Sequence, residues 1–151
     1  MTTRLKKKKG VSNKDRRTLK AKLARLQATE LGRVDDAIGE YRALVEEDPA
    51  DEAAVAALDK LLRSDDRRDD LRWLFDLRAT KGPEAARAAI LTEWASLEQD
   101  VFNEPSRATD LYKRVLEVDP DNDLAARTLP RLLLSARSEA DIGFSAPGNT
   151  W

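Results

Sequence analysis

Two stretches of the chain decide its fold: 31-LGRVDDAIGEYRALVEEDPADEAAVAALDKLLRS-64 and 102-FNEPSRATDLYKRVLEVDPDNDLAARTLPRLLLS-135. A shift of 71 residues lays the first on the second without a gap. Ala37 falls on Ala108, Tyr41 on Tyr112, Glu46 on Glu117, Asp48-Pro49 on Asp119-Pro120, and Ala54 on Ala125. Leu58, Leu61, Leu62 and Ser64 then match Leu129, Leu132, Leu133 and Ser135, giving ten identities in 34 positions, more than shared composition supplies. The apolar residues Ala37, Ile38, Tyr41, Leu44 and Val45 follow the helical period. Asp48-Pro49 stops that helix, because the residue before proline is steered out of the α region, and Asp51 can cap the next. The shift is close to twice 35, so a worn third copy should occupy the middle.

Outward from these copies the pattern stays helical. Ser12 and Asp15 form a capping pair for a first helix in which Leu19, Leu23 and Leu26 recur at helical spacing, with basic residues on its other faces. Further helices are expected from Arg67 to Ala79, from Pro83 to about Val101, from Pro105 to Glu117 and from about Asn122 to Arg137. Gly82-Pro83 reads as a stop followed by a start. No stretch alternates at period two for long enough to make a strand. The fold class is all-α, with about seven helices.

Here the chain resembles the tetratricopeptide-repeat family. Leu31-Gly32, Ala37, Tyr41 and Asp48-Pro49 fit that family's second-helix pattern: a glycine, an alanine five later, an aromatic four beyond, and a proline ending the unit. The second copy keeps Ala108, Tyr112 and Pro120 but has Asn103 where the family prefers glycine. The resemblance implies a right-handed superhelical solenoid of antiparallel helix hairpins, with repeats at about 18–51, 52–88 and 89–122 and a capping helix over 122–137. The middle unit departs furthest, lacking the Ala and Pro markers and offering Trp73 and Phe75 as bulky groups. Physically, alanine lets two helices approach closely, tyrosine fills the space a turn later, and hairpins left with one apolar face must stack.

Composition closes most catalytic chemistry. The 151 residues contain neither cysteine nor histidine, which removes disulfides, Cys/His zinc sites, thiol nucleophiles and Ser-His-Asp triads. The six glycines form no phosphate-cradling loop. Asp119-Pro120-Asp121-Asn122-Asp123 has acids at alternate places, but an EF-hand needs glycine and glutamate where Leu124 and Pro130 stand. It reads as a helix-capping turn. The acids Asp65, Asp66, Asp69 and Asp70 alternate with Arg67, Arg68 and Arg72 and pair with them on a solvated turn. The protein is expected to be no enzyme and to use no cofactor or metal.

Charge is divided sharply along the chain. Residues 1–25 hold eleven Lys/Arg against Asp15 alone, a balance of +10, so the total of −1 leaves −11 for residues 26–151. Residues 1–11 read as a disordered arm, and Arg4, Lys6, Lys7, Lys8, Lys9, Lys14, Arg16 and Arg17 supply the basic contact. The n-region charge has no apolar stretch behind it, and nowhere do eighteen apolar residues run together, so a cytoplasmic chain without a membrane span is expected. Residues 138–151, with Phe144 and Trp151, read as a flexible tail.

The resemblance also places a partner groove. With Pro49 and Pro120 closing their units, the groove positions fall on Lys22, Lys60, Arg63, Arg127 and Arg131, with Glu93 and Asp100 as the acidic members and Leu19, Leu26, Ile90 and Leu97 as apolar ones. The excess of cations points to an acidic protein segment as partner, and a non-enzymatic adaptor or scaffold as function. The alternative is electrostatic binding of nucleic acid or an anionic surface through residues 1–25. The Leu-rich last helix offers a surface for pairing between copies.

Overall fold

The structure, a computed structural model, describes residues 12–148. Among the described residues are seven α-helices and no strand: α1 (Asn13–Thr29), α2 (Val34–Glu47), α3 (Glu52–Ser64), α4 (Arg68–Lys81), α5 (Arg87–Asp100), α6 (Pro105–Val118) and α7 (Asp123–Gly148). A short 3₁₀ turn, Glu84–Ala86, precedes α5. The chain forms two compact units, Met1–Leu77 and Arg78–Trp151, with the boundary inside α4.

In the first unit, Ser12 caps α1 by accepting the Asp15 N–H at 3.0 Å. α1 packs against α2, and each contributes an alanine with no exposed surface, Ala24 and Ala37. Small side chains at these positions let the two backbones come close, which larger groups would prevent. The turn between them needs a left-handed residue, which Gly32 supplies at φ 63°. Arg33 N–H then donates to Gln27 O at 2.7 Å and Leu31 N–H to Leu26 O at 3.2 Å, closing the end of α1. Tyr41 lies 5% exposed and donates its hydroxyl to Ala21 O at 3.4 Å. Asp51 caps α3 through the Ala54 N–H at 3.1 Å. Leu58 and Leu62 of α3 and Leu74 and Phe75 of α4 have no exposed surface. Trp73 is half-buried beneath the Arg42 guanidinium, 4.1 Å from its ring centre.

The second unit repeats the turn and the cap of this construction, although the Tyr112 hydroxyl meets Ser96 Oγ at 3.2 Å where that of Tyr41 meets a backbone carbonyl. Asn103 takes the place of Gly32 and its backbone geometry too, at φ 55°. Glu104 N–H donates to Glu98 O at 2.7 Å, as Arg33 does to Gln27, and Phe102 N–H donates to Leu97 O as Leu31 does to Leu26. Ala95 and Ala108 have no exposed surface, like Ala24 and Ala37, and Tyr112 is 1% exposed. Asn122 caps α7 through the Ala125 N–H at 2.9 Å, the counterpart of Asp51 and Ala54. Asparagine is the residue other than glycine that best tolerates the left-handed region, so this departure from the repeat pattern preserves the turn.

Two expectations need correction. The last helix does not stop near Arg137 but runs to Gly148. Ser138, Glu139, Ala140, Asp141 and Ile142 contain no breaker, and the first glycine after them is Gly143. Nor do Leu19, Leu23 and Leu26 form the buried side of α1: they are 62%, 50% and 48% exposed. The face that α1 buries holds Ala24 and Arg17 instead. Arg4, Lys6, Lys7, Lys8, Lys9 and Trp151 lie outside the described residues, as does the expected disorder of 1–11.

Candidate functional site: a cation-edged groove in the first unit

The first unit carries a groove of about 610 Å³ between α1 and α3. Its α1 wall presents Lys14, Thr18, Lys22 and Arg25, and its α3 wall presents Ala53, Ala54 and Ala57. Tyr41 of α2 forms part of the floor. A second hollow of about 290 Å³ shares Arg25, Tyr41 and Ala57 and continues past Ala28 to Lys60, Leu61 and Ser64. The local cause is plain in the sequence. Alanines at 53, 54 and 57 keep the α3 wall low, while α1 sends long cationic side chains along the facing edge. Burial pushes the Tyr41 phenol above its ordinary value, against an opposing pull from the Arg25 charge. It therefore stays neutral at physiological pH and can act only through its hydroxyl and ring.

One end of the groove is fixed by Arg17, whose side chain is 10% exposed. Its guanidinium donates to Glu47 Oε1 at 2.7 Å, Asp51 Oδ2 at 2.7 Å and Leu44 O at 2.9 Å. Arg16 donates to the same Glu47 oxygen at 2.8 Å. These contacts hold the Arg17 pKa above, and the Glu47 pKa below, their ordinary values. Arg16 and Arg17 are therefore engaged within the first unit. The carboxylates at the α2–α3 turn, with an α2 carbonyl at the helix end, draw both guanidinia into the structure. By contrast, Lys14, Lys20, Lys22 and Arg25 make no ion pair with a described residue.

Of the groove residues expected from sequence, the structure brings Lys22 and Lys60 to this continuous surface. Arg63 is exposed on α3 and tied back to Asp59, one turn earlier. In the second unit Glu93 is exposed on α5, and Arg127 and Arg131 are exposed on α7, Arg127 paired with Asp123 at 3.0 Å. Leu97 and Ile90 are each 6% exposed, so both belong to the interior of that unit and not to a wall open to solvent. Leu19 and Leu26 also stand off the groove, because the stripe of α1 that lines it runs through 14, 18, 21, 22 and 25. In the sequence Arg25 stands out only as part of the charge of residues 1–25. Its place one residue before Leu26 puts it outside the expected stripe, and the alanine run on α3 is the sequence signal for the groove.

A further buried pair sits in the second unit, where Trp94 Nε1 donates to Glu98 Oε2 at 2.9 Å and Glu98 has no exposed surface. Arg114 lies 5.8 Å from the Trp94 ring centre. Compared with known proteins, the chain matches no family model and no curated protein resembles it significantly. No helix among the described residues is long and apolar enough to cross a membrane.

Proposed function

We propose that the protein is a non-enzymatic interaction module of tetratricopeptide-like helix hairpins that binds an acidic, extended segment of another protein. The observation that carries this reading is the groove of the first unit, edged by Lys14, Lys22, Arg25 and Lys60 over an alanine wall. An extended peptide would lie on the alanines, and its carboxylates would meet cations that have no acidic partner among the described residues. Such charge-assisted contacts steer the partner in and fix its orientation more than they add affinity. The lysine-rich residues 1–11 supply a second, less specific electrostatic contact.

The test is fluorescence anisotropy of the full chain with a labelled extended peptide of alternating glutamate and alanine. Binding should weaken roughly tenfold when Lys22 and Lys60 are both changed to Ala, a loss of about 1.4 kcal/mol. It should survive removal of residues 1–11. The other reading, electrostatic capture of nucleic acid through residues 1–25, predicts that DNA or RNA binds with a steep salt dependence. A peptide affinity that vanishes with the arm and ignores Lys22 and Lys60 would favour that reading over the groove.

A further inference from the structure

The 71-residue repeat allows the same position to be compared in two settings. Leu19, Leu23, Leu26 and Leu31 correspond to Ile90, Trp94, Leu97 and Phe102. In the second unit these four are 6%, 8%, 6% and 7% exposed; in the first they are 62%, 50%, 48% and 58% exposed. The apolar character of the position is kept in both copies, but among the described residues only the second copy has protein over it. On α1 the three leucines fall within an arc of roughly 60°, on the side away from Ala24. This is a face separate from the groove. Lys22 and Arg25 border it on one side, and Lys20 and the Glu47-paired Arg16 on the other, while Asp15 and Glu30 lie at the two ends of the stripe.

We infer that this leucine face of α1 docks an amphipathic helix of another protein whose apolar stripe is flanked by acids. The internal precedent says that the position is covered by protein, and the charge of the rim says which protein. A second copy of α1 would set Lys20, Lys22 and Arg25 against their own kind, a like-charge arrangement that opposes association. The chain's own residues 1–11 carry Arg4 and Lys6 to Lys9 and no acid, so they share the sign of the rim. Binding to a bilayer scales with the apolar area buried, and three leucines offer little of it. An acidic-flanked helix satisfies both the apolar stripe and the cations beside it, the arrangement that sets partner choice between paired helices.

The probes are two synthetic helical peptides with leucines at a and d positions, one with glutamate and one with lysine at the flanking positions, titrated calorimetrically into the full chain. The glutamate peptide should bind and the lysine peptide should not. Affinity should fall at least about tenfold in a variant with Leu19, Leu23 and Leu26 changed to Gln, and should be unchanged by Lys60→Ala, which alters only the groove. A variant carrying Lys20→Glu and Lys22→Glu should reverse the preference between the peptides, a gain that misfolding cannot imitate. Equal binding of both peptides, or indifference to the leucine changes, would overturn the inference. So would cosedimentation with phosphatidylserine vesicles, or dimerisation in light scattering, that is lost with the leucines while the glutamate peptide fails to bind.

Discussion

At the residue scale, the turn that joins each hairpin depends on one backbone conformation. Gly32 and Asn103 both hold positive φ, at 63° and 55°. A Cβ at Gly32 would meet nothing within 4 Å, so any cost there is conformational and not steric. Gly32→Ala and Asn103→Ala should each lower stability by about 1 kcal/mol in urea unfolding. Asn103→Gly should lower it not at all. The Arg17 cluster gives a pH signature. Burial pushes the Asp51 carboxyl upward, but the hydrogen bonds from Arg17 and the Ala54 N–H outweigh it and leave its pKa below the ordinary value. Glu47 is lowered by Arg16 first and Arg17 second. A carboxylate with a depressed folded pKa contributes stability that is complete above its unfolded value, about 4, and is lost as pH falls through the folded one. The urea midpoint should therefore decline below about pH 4, and Asp51→Asn, which keeps a capping oxygen but loses the charge, should flatten that decline. A variant with the full wild-type slope would contradict the assignment.

At the element scale, equivalent positions should respond unequally to the same change. Trp94 is 8% exposed and bonded to Glu98, so Trp94→Ala should cost about 3–5 kcal/mol. Leu23 sits at the matching position but is 50% exposed, and Leu23→Gln should change stability by less than about 0.5 kcal/mol. Chemical denaturation of the two variants side by side decides this. The contrast also shows where sequence reasoning reached its limit. The helices, their caps at Ser12 and Asp51, and the repeat itself were all legible, because each rests on local spacing. The exposure of Leu19, Leu23 and Leu26 was not, because helical periodicity identifies an apolar stripe without saying whether a neighbour exists to cover it. The partnering of Arg16 and Arg17 is hidden for a related reason: Glu47 and Asp51 lie 30 to 34 positions away in sequence. The helical continuation to Gly148 is hard to read from sequence because Gly143 and Pro147 are breaker residues that follow a breaker-free run.

At the scale of the molecule, one duplicated helix-hairpin plan has been given two different surfaces. The first unit keeps its alanines at the packing positions and spends its cations along one groove; the second keeps the packing and places Ala88, Glu93 and Ser96 where the first has Arg17, Lys22 and Arg25. Lys22 and Lys60 of the expected groove lie on one surface, where the rotation of α1 about its axis adds Arg25 and α2 adds Tyr41. The central claim is that this surface receives an acidic segment, and backbone amide NMR of the full chain tests it most directly. On titration with the glutamate–alanine peptide, the account predicts that shifts concentrate at Lys22, Arg25, Ala57 and Lys60. Saturable binding whose shifts fall elsewhere and leave these four unmoved would contradict it.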